Sequence, residues 1–259
     1  MVSATRTVNP TLPAETGVLD GLAYSLWLPP ASLPPPTAGI VVLHGAGSGK
    51  ESHHDYARAA VALGLAAVCF DQRGHGESGG RLGAGAIDDV VTVADHLRSA
   101  LGDPDSPVAL RGSSMGGYLA IVAAGPVRAQ AVVAICPASA EGLRRGLLGG
   151  SLGFDADTEA LTRLLDGHDL SAAVRTLDVP LLLMHAEGDE QVPVEHSREL
   201  ATLVRSADSR LIVVPGGHHR SVQHDPELQA VSLQFVMRVL GLTLGGAPSG
   251  RPAQGPDKS

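Results

Sequence analysis

Two hydrophobic periodicities alternate along this 259-residue chain, and that alternation most constrains its fold. Short apolar runs stand at "LAYSLWLPP" (22–30), "AGIVVLHG" (38–45), "AAVCFD" (66–71), "VALRG" (108–112), "QAVVAICP" (130–137), "VPLLLMHA" (179–186) and "SRLIVVPGG" (209–217). Segments 55–66, 86–101, 115–125, 195–206 and 226–241 instead carry apolar residues at helical spacing. Near-continuous apolar strands are buried on both faces, so helices must cover both sides of the sheet. The pattern predicts an α/β fold with a doubly wound, mostly parallel sheet flanked by helices. Hydrophobic residues make up 44% of the chain, enough for one sizeable core, and residues 1–241 read as a single domain.

Residues 138–178 interrupt the alternation. They are glycine-rich first and helical afterwards, with Asp155 or Asp157 as an N-cap, and read as a short inserted cap. The tail, 242–259, is rich in Gly and Pro and reads as disordered. The amino terminus, "MVSATRTVNP", lacks an apolar leader, and no uncharged apolar run reaches the ~18 residues of a membrane span. The expectation is a cytoplasmic chain without a membrane span. Its net charge of -8 and two lysines argue against nucleic acid as a partner. Cys69 lies within one apolar run and Cys136 ends another, and both read as buried thiols, not as a disulfide framework.

At "VALRGSSMGGYLAIVAA" (108–124) a strand pattern meets a glycine-rich turn and then a helix pattern. A serine exposed at such a strand end needs a strained backbone, with small residues two before and two after it. Ser114 has Gly112 and Gly116 there; Ser113 has Arg111 and Met115 and fails. Ser78 is also framed by glycines, Gly76 and Gly80, but a polar loop precedes it and no helix follows. Ser114 is therefore the candidate nucleophile.

A serine hydroxyl needs a base within hydrogen-bond reach, and the base needs a group that fixes its tautomer. In doubly wound hydrolases these follow in the order Ser, acid, His. Asp189 lies just past "PLLLMHA", where open α/β sheets bind ligands, with Glu187 and Glu190 as alternative acids. After "RLIVVP" comes "GGHHRSVQHD"; adjacent side chains in an extended loop point apart, so His219 or His218 can serve, and His219 is favoured. His224 reads as a surface or packing residue. The oxyanion needs two donors. Met115 N–H, at a helix amino end, is one; Ala46 N–H, or next Gly47, is the other. His44 precedes the nucleophile and reads as a brace for its loop.

The motifs "VVLHGAGSG", "DQRGHGESGG", "GSSMGG", "HAEGDEQVP" and "PGGHH" together resemble the α/β-hydrolase superfamily over about 38–241. The resemblance implies the α/β-hydrolase fold with a variable cap. It implies Ser114, Asp189 and His219 as a catalytic triad, and Ala46 and Met115 as oxyanion-hole amides. His219 matches the fourth position of the family's Gly-small-any-His turn. "DQRGHGES" resembles esterase, acylglycerol lipase and peptidase-like branches, in which Asp71, Arg73 and His75 brace a loop. The function implied is a carboxylesterase-like serine hydrolase acting on small to medium carboxylic esters. A thioesterase or peptidase-like hydrolase, or a non-catalytic binding module on the same fold, are the alternatives. At 3% aromatic residues, a ring-lined groove for extended lipids is not expected.

No cofactor or metal is expected. "GAGSGKE" lacks the first glycine of a phosphate-binding loop, where His44 stands, and has Glu51 after Lys50. "HHD" at 53–55 and the His218, His219, His224 group lack a metal-binding spacing. A dehalogenase would carry aspartate at position 114. Arg144 and Arg145 in the cap read as a solvated pair.

Overall fold

The computed structural model describes residues 11–242. The described residues begin with a hairpin of β1 (Glu15–Leu19) and β2 (Leu22–Trp27). Its two-residue turn is Asp20-Gly21, with φ of 49° and 84°. Such a turn twists the way paired strands twist, and Asp-Gly is among its preferred dipeptides. The apolar pattern finds β2 but not β1, whose residues are mostly exposed; the Asp-Gly pair was its legible signal.

The parallel strands follow: β3 (Gly39–Leu43), β4 (Ala66–Phe70), β5 (Val108–Ser113), β6 (Ala131–Ile135), β7 (Leu181–Ala186) and β8 (Arg210–Val214). With the hairpin they form one eight-stranded sheet in the order β1-β2-β4-β3-β5-β6-β7-β8. Only the pairings of β1 with β2 and of β2 with β4 are antiparallel; the others are parallel. Successive strand residues enter opposite cores, as the two-residue period requires. Val41 and Leu43 pack with α2 (Ala86–Leu101) and α3 (Met115–Val122). Ile40 and Val42 pack with α1 (His54–Ala62) and the last helix, Pro226–Val239. The short α4 (Ala124–Val127) follows α3.

Segment 138–178 holds α5 (Ala140–Leu148), α6 (Thr158–Gly167) and α7 (Leu170–Thr176). The side chains of Ser139, Asp157 and Asp169 cap them, each accepting from an amide in the first turn. Of the two N-cap candidates, Asp157 is the one used. Leu143, Leu161, Leu164 and Leu165 join the core above α3, and Tyr118 of α3 donates to the His168 carbonyl at 2.8 Å. Then come α8 (Val194–Ala201), α9 (Ser221–His224) and α10 (Pro226–Val239). Among the described residues no helix is long and apolar enough to cross a membrane. The tail from 243 on lies outside the described residues.

Candidate active site

The turn between β5 and α3 puts Ser114 at φ 53°, ψ -117°, a strained conformation for a residue with a side chain. Only glycines permit it. A Cβ on Gly112 would lie 2.0 Å from the Gly116 carbonyl oxygen, and one on Gly116 would lie 2.3 Å from that of Leu43. Both obstacles are backbone. Gly116→Ala is therefore expected to cost on the order of 3 kcal/mol; denaturant midpoints of the variant and the parent check this. Ser114 is half-buried, whereas Ser113 is 3% exposed. Ser78 is structural: its hydroxyl donates to the Asp71 carbonyl and accepts from Ala23 N–H, tying the loop to β2.

Met115 is the first residue of α3, so its N–H has no carbonyl a turn earlier to bond. Ala46 sits in the turn after β3 and lines the same cavity as Ser114 and His219, about 590 Å³ in volume. Gly47 lines it too, beside the backbone of Leu152. The lining mixes Leu143, Leu152 and Val192 with Gln191, Arg145 and Arg220. Arg145 pairs with Glu141, and Arg144 with Asp166, on the exposed surface.

His219 Nδ1 lies 2.7 Å from Asp189 Oδ2. The other carboxylate oxygen accepts from the amides of Gln191 at 2.8 Å and Val192 at 2.9 Å. Burial alone would raise the Asp189 pKa. Contacts with His185 and His219 and those two amides outweigh it, holding the carboxyl far below the usual range. Glu187 pairs instead with Arg198, and Glu190 accepts from the His219 amide at 3.4 Å. His218 is exposed and its amide donates to Ser221. His224 is half-buried, stacked on His53 and 3.4 Å from Asp55.

His44 braces its loop. Its Nε2 accepts from Gln72 N–H at 3.0 Å, its Nδ1 donates to the Gly45 carbonyl, and burial lowers its pKa to about 4. A chain unfolded at pH 5 protonates this imidazole; the folded protein does not. Stability is therefore full above the ordinary histidine value and falls as pH drops from there to about 4. The loss from His44 alone is on the order of 3 kcal/mol, and burial of His53 acts in the same direction. Urea unfolding at pH 7.5 and pH 4.5 measures it.

Asp71 accepts from the Lys50 amide at 2.7 Å and from its ammonium at 2.9 Å, and Arg73 bonds Asp89. His75 donates to the Arg73 carbonyl. Lys50 was legible only as a failed phosphate-loop lysine; it is in fact buried among Asp71, Glu77 and Glu51. Those three carboxylates could hold a cation, and the Lys50 ammonium sits among them. Among the described residues a second group with metal-ligating atoms is Cys136, Asp189 and His219, of which the last two bond each other. Cys69 and Cys136 are both buried free thiols; burial pushes Cys69 up to about 12, and Cys136 up as well. Sequence reading missed His185 and Cys136 as neighbours of Asp189. His185, four residues before the acid at a strand end, was visible; nothing in the sequence places Cys136.

A family model described as serine aminopeptidase, S33, matches residues 34–149. A monoacylglycerol lipase of Mycolicibacterium smegmatis is 30% identical to this chain, over 89% of this chain and 96% of its own. Est1E from Butyrivibrio proteoclasticus, solved with ferulic acid bound, matches with a TM-score of 0.68 at 22% identity, over 88% of this chain and 98% of that one. A monoacylglycerol lipase of Paleococcus ferrophilus matches with a TM-score of 0.63 at 20% identity, over 85% and 98%. The two solved structures share the fold.

Proposed function

The chain belongs to the α/β-hydrolase superfamily, and from that membership we propose that it is a serine hydrolase cleaving small to medium carboxylic esters. The observation that carries this reading is the strained Ser114 elbow opening on the same cavity as a histidine already bonded to a buried carboxylate.

In this mechanism His219 Nε2 takes the Ser114 proton while Asp189 holds Nδ1–H and so fixes the tautomer. The Ser114 oxygen attacks the ester carbonyl. The amides of Met115 and Ala46 donate to the oxyanion, the first at the positive end of α3. The tetrahedral intermediate collapses, His219 gives its proton to the departing alcohol, and an acyl-enzyme remains. Water, deprotonated by His219, repeats the attack and releases the acid.

The ester preference is supported by the relative named monoacylglycerol lipase, and the mixed polar and apolar lining suits a substrate with both characters. The family description as a serine aminopeptidase keeps a peptide-cleaving reading on the same residues. The experiment is a fluorophosphonate probe with mass spectrometry of the labelled peptide, followed by panels of acyl esters, thioesters and aminoacyl anilides. Labelling at 114 with turnover of esters is expected. An unlabelled wild-type protein would overturn the serine mechanism and bring the binding-module reading forward.

A further inference from the structure

Behind the His219–Asp189 pair stands a second imidazole. His185, on β7, is fully buried. Its Nδ1 lies 2.7 Å from the Ser197 hydroxyl of α8, and its Nε2 lies 2.9 Å from the Val192 carbonyl oxygen and 3.4 Å from Asp189 Oδ2.

A carbonyl oxygen can only accept, so Nε2 carries a hydrogen. In the neutral ring Nδ1 then accepts from Ser197. The Nε2–H therefore sits between the Val192 carbonyl and the Asp189 carboxylate. Val192 turns back on the same acid, because its amide donates to Asp189 Oδ1 at 2.9 Å. The contacts form a closed set. His185 holds the Val192 carbonyl, the Val192 amide holds one carboxylate oxygen, and the other oxygen meets His219 at 2.7 Å.

We propose that His185 is a positioning residue: it fixes the 189–192 turn and through it aims Asp189 at His219, without touching substrate. It does not line the cavity. A leucine could fill the space, but a buried ring with both nitrogens bonded fixes direction, which an apolar side chain cannot. Outer groups of this kind commonly set the geometry of the residues that react. The inference rests on reading Asp189 and His219 as the acid and base of the site.

The test uses the full chain with His185→Leu, His185→Gln and Ser197→Ala. It follows the rate of fluorophosphonate labelling, kcat and KM for one ester, and hydrogen exchange at the Val192 amide. His185→Leu is expected to slow labelling and kcat roughly 10- to 100-fold. KM should change little and Val192 exchange should quicken. His185→Gln recovers most of the loss, because its side-chain amide can donate to the Val192 carbonyl. A role in packing alone would lower thermal stability in both variants and leave the folded enzyme's rate intact. A folded His185→Leu protein with the parent's labelling rate and Val192 exchange would overturn the proposal, as would a Gln variant as slow as Leu. If His185→Leu does not fold, Ser197→Ala decides. It removes the hydroxyl that orients the ring, so slower labelling supports the proposal and an unchanged rate overturns it. An unlabelled wild type would sink the hydrolase reading separately; Val192 exchange would still decide whether His185 holds the turn.

Discussion

Ser114→Ala is expected to lower ester hydrolysis by on the order of 10⁴-fold or more and to abolish fluorophosphonate labelling. The fold should survive, because alanine removes one oxygen and fits the same backbone. Ser113→Ala is the control. Ser113 ends β5 with its side chain buried, and its hydroxyl has no hydrogen-bond partner among the described residues. Its loss should leave the rate within a few-fold of the parent. Initial rates on a short-chain ester, run beside intact-mass labelling, separate the two serines. The contrast is large because covalent catalysis needs one particular oxygen. The residue beside it has the same chemistry but the wrong place on the turn. Equal losses in both variants would argue against Ser114 as the sole nucleophile.

Asp189→Asn is expected to lower kcat by about 10⁴-fold with the fold intact. The reason lies in the two amides that bond the carboxylate. Gln191 and Val192 both donate to Oδ1, so an asparagine there must turn its carbonyl oxygen toward them. Its NH₂ then faces His219 Nδ1, where the carboxylate oxygen now stands at 2.7 Å. An NH₂ donates, so Nδ1 becomes an acceptor and the ring proton moves to Nε2. A histidine in that tautomer cannot take the Ser114 proton. Steady-state kinetics with circular dichroism as the folding check reads this. A variant as active as the parent would show that Asp189 is not the orienting acid.

The sheet was legible because strands buried on both faces leave short, near-continuous apolar runs, and the parallel strands, the half-exposed β8 included, appear at those runs. The exposed edge strand β1 was not, since it buries too little to leave a pattern, and the Asp20-Gly21 turn signal beside it was passed over. Ser114 was legible for a local reason as well. The turn's steric demands fall on Gly112 and Gly116, each within two residues of it. Asp157 as a helix cap is another local fact, although sequence alone left Asp155 beside it.

The contacts of the acid and the histidine belong to a different category. Asp189 and His219 are thirty positions apart in the chain, and the 2.7 Å between them exists only because β7 and β8 lie side by side. Sequence could offer Glu187, Asp189 and Glu190, and His218 and His219, as neighbours of similar chemistry. Which of each bonds the other depends on the direction in which a loop side chain leaves its backbone. The same holds for His185, Cys136 and Lys50, whose partners come from other elements. By itself, then, the sequence determined the alternating strands and helices and the sharp serine turn. Both follow from steric and burial rules acting over a few residues. The tertiary structure decided which charged and polar groups meet around Asp189, because those contacts are set by strand order, not by spacing along the chain.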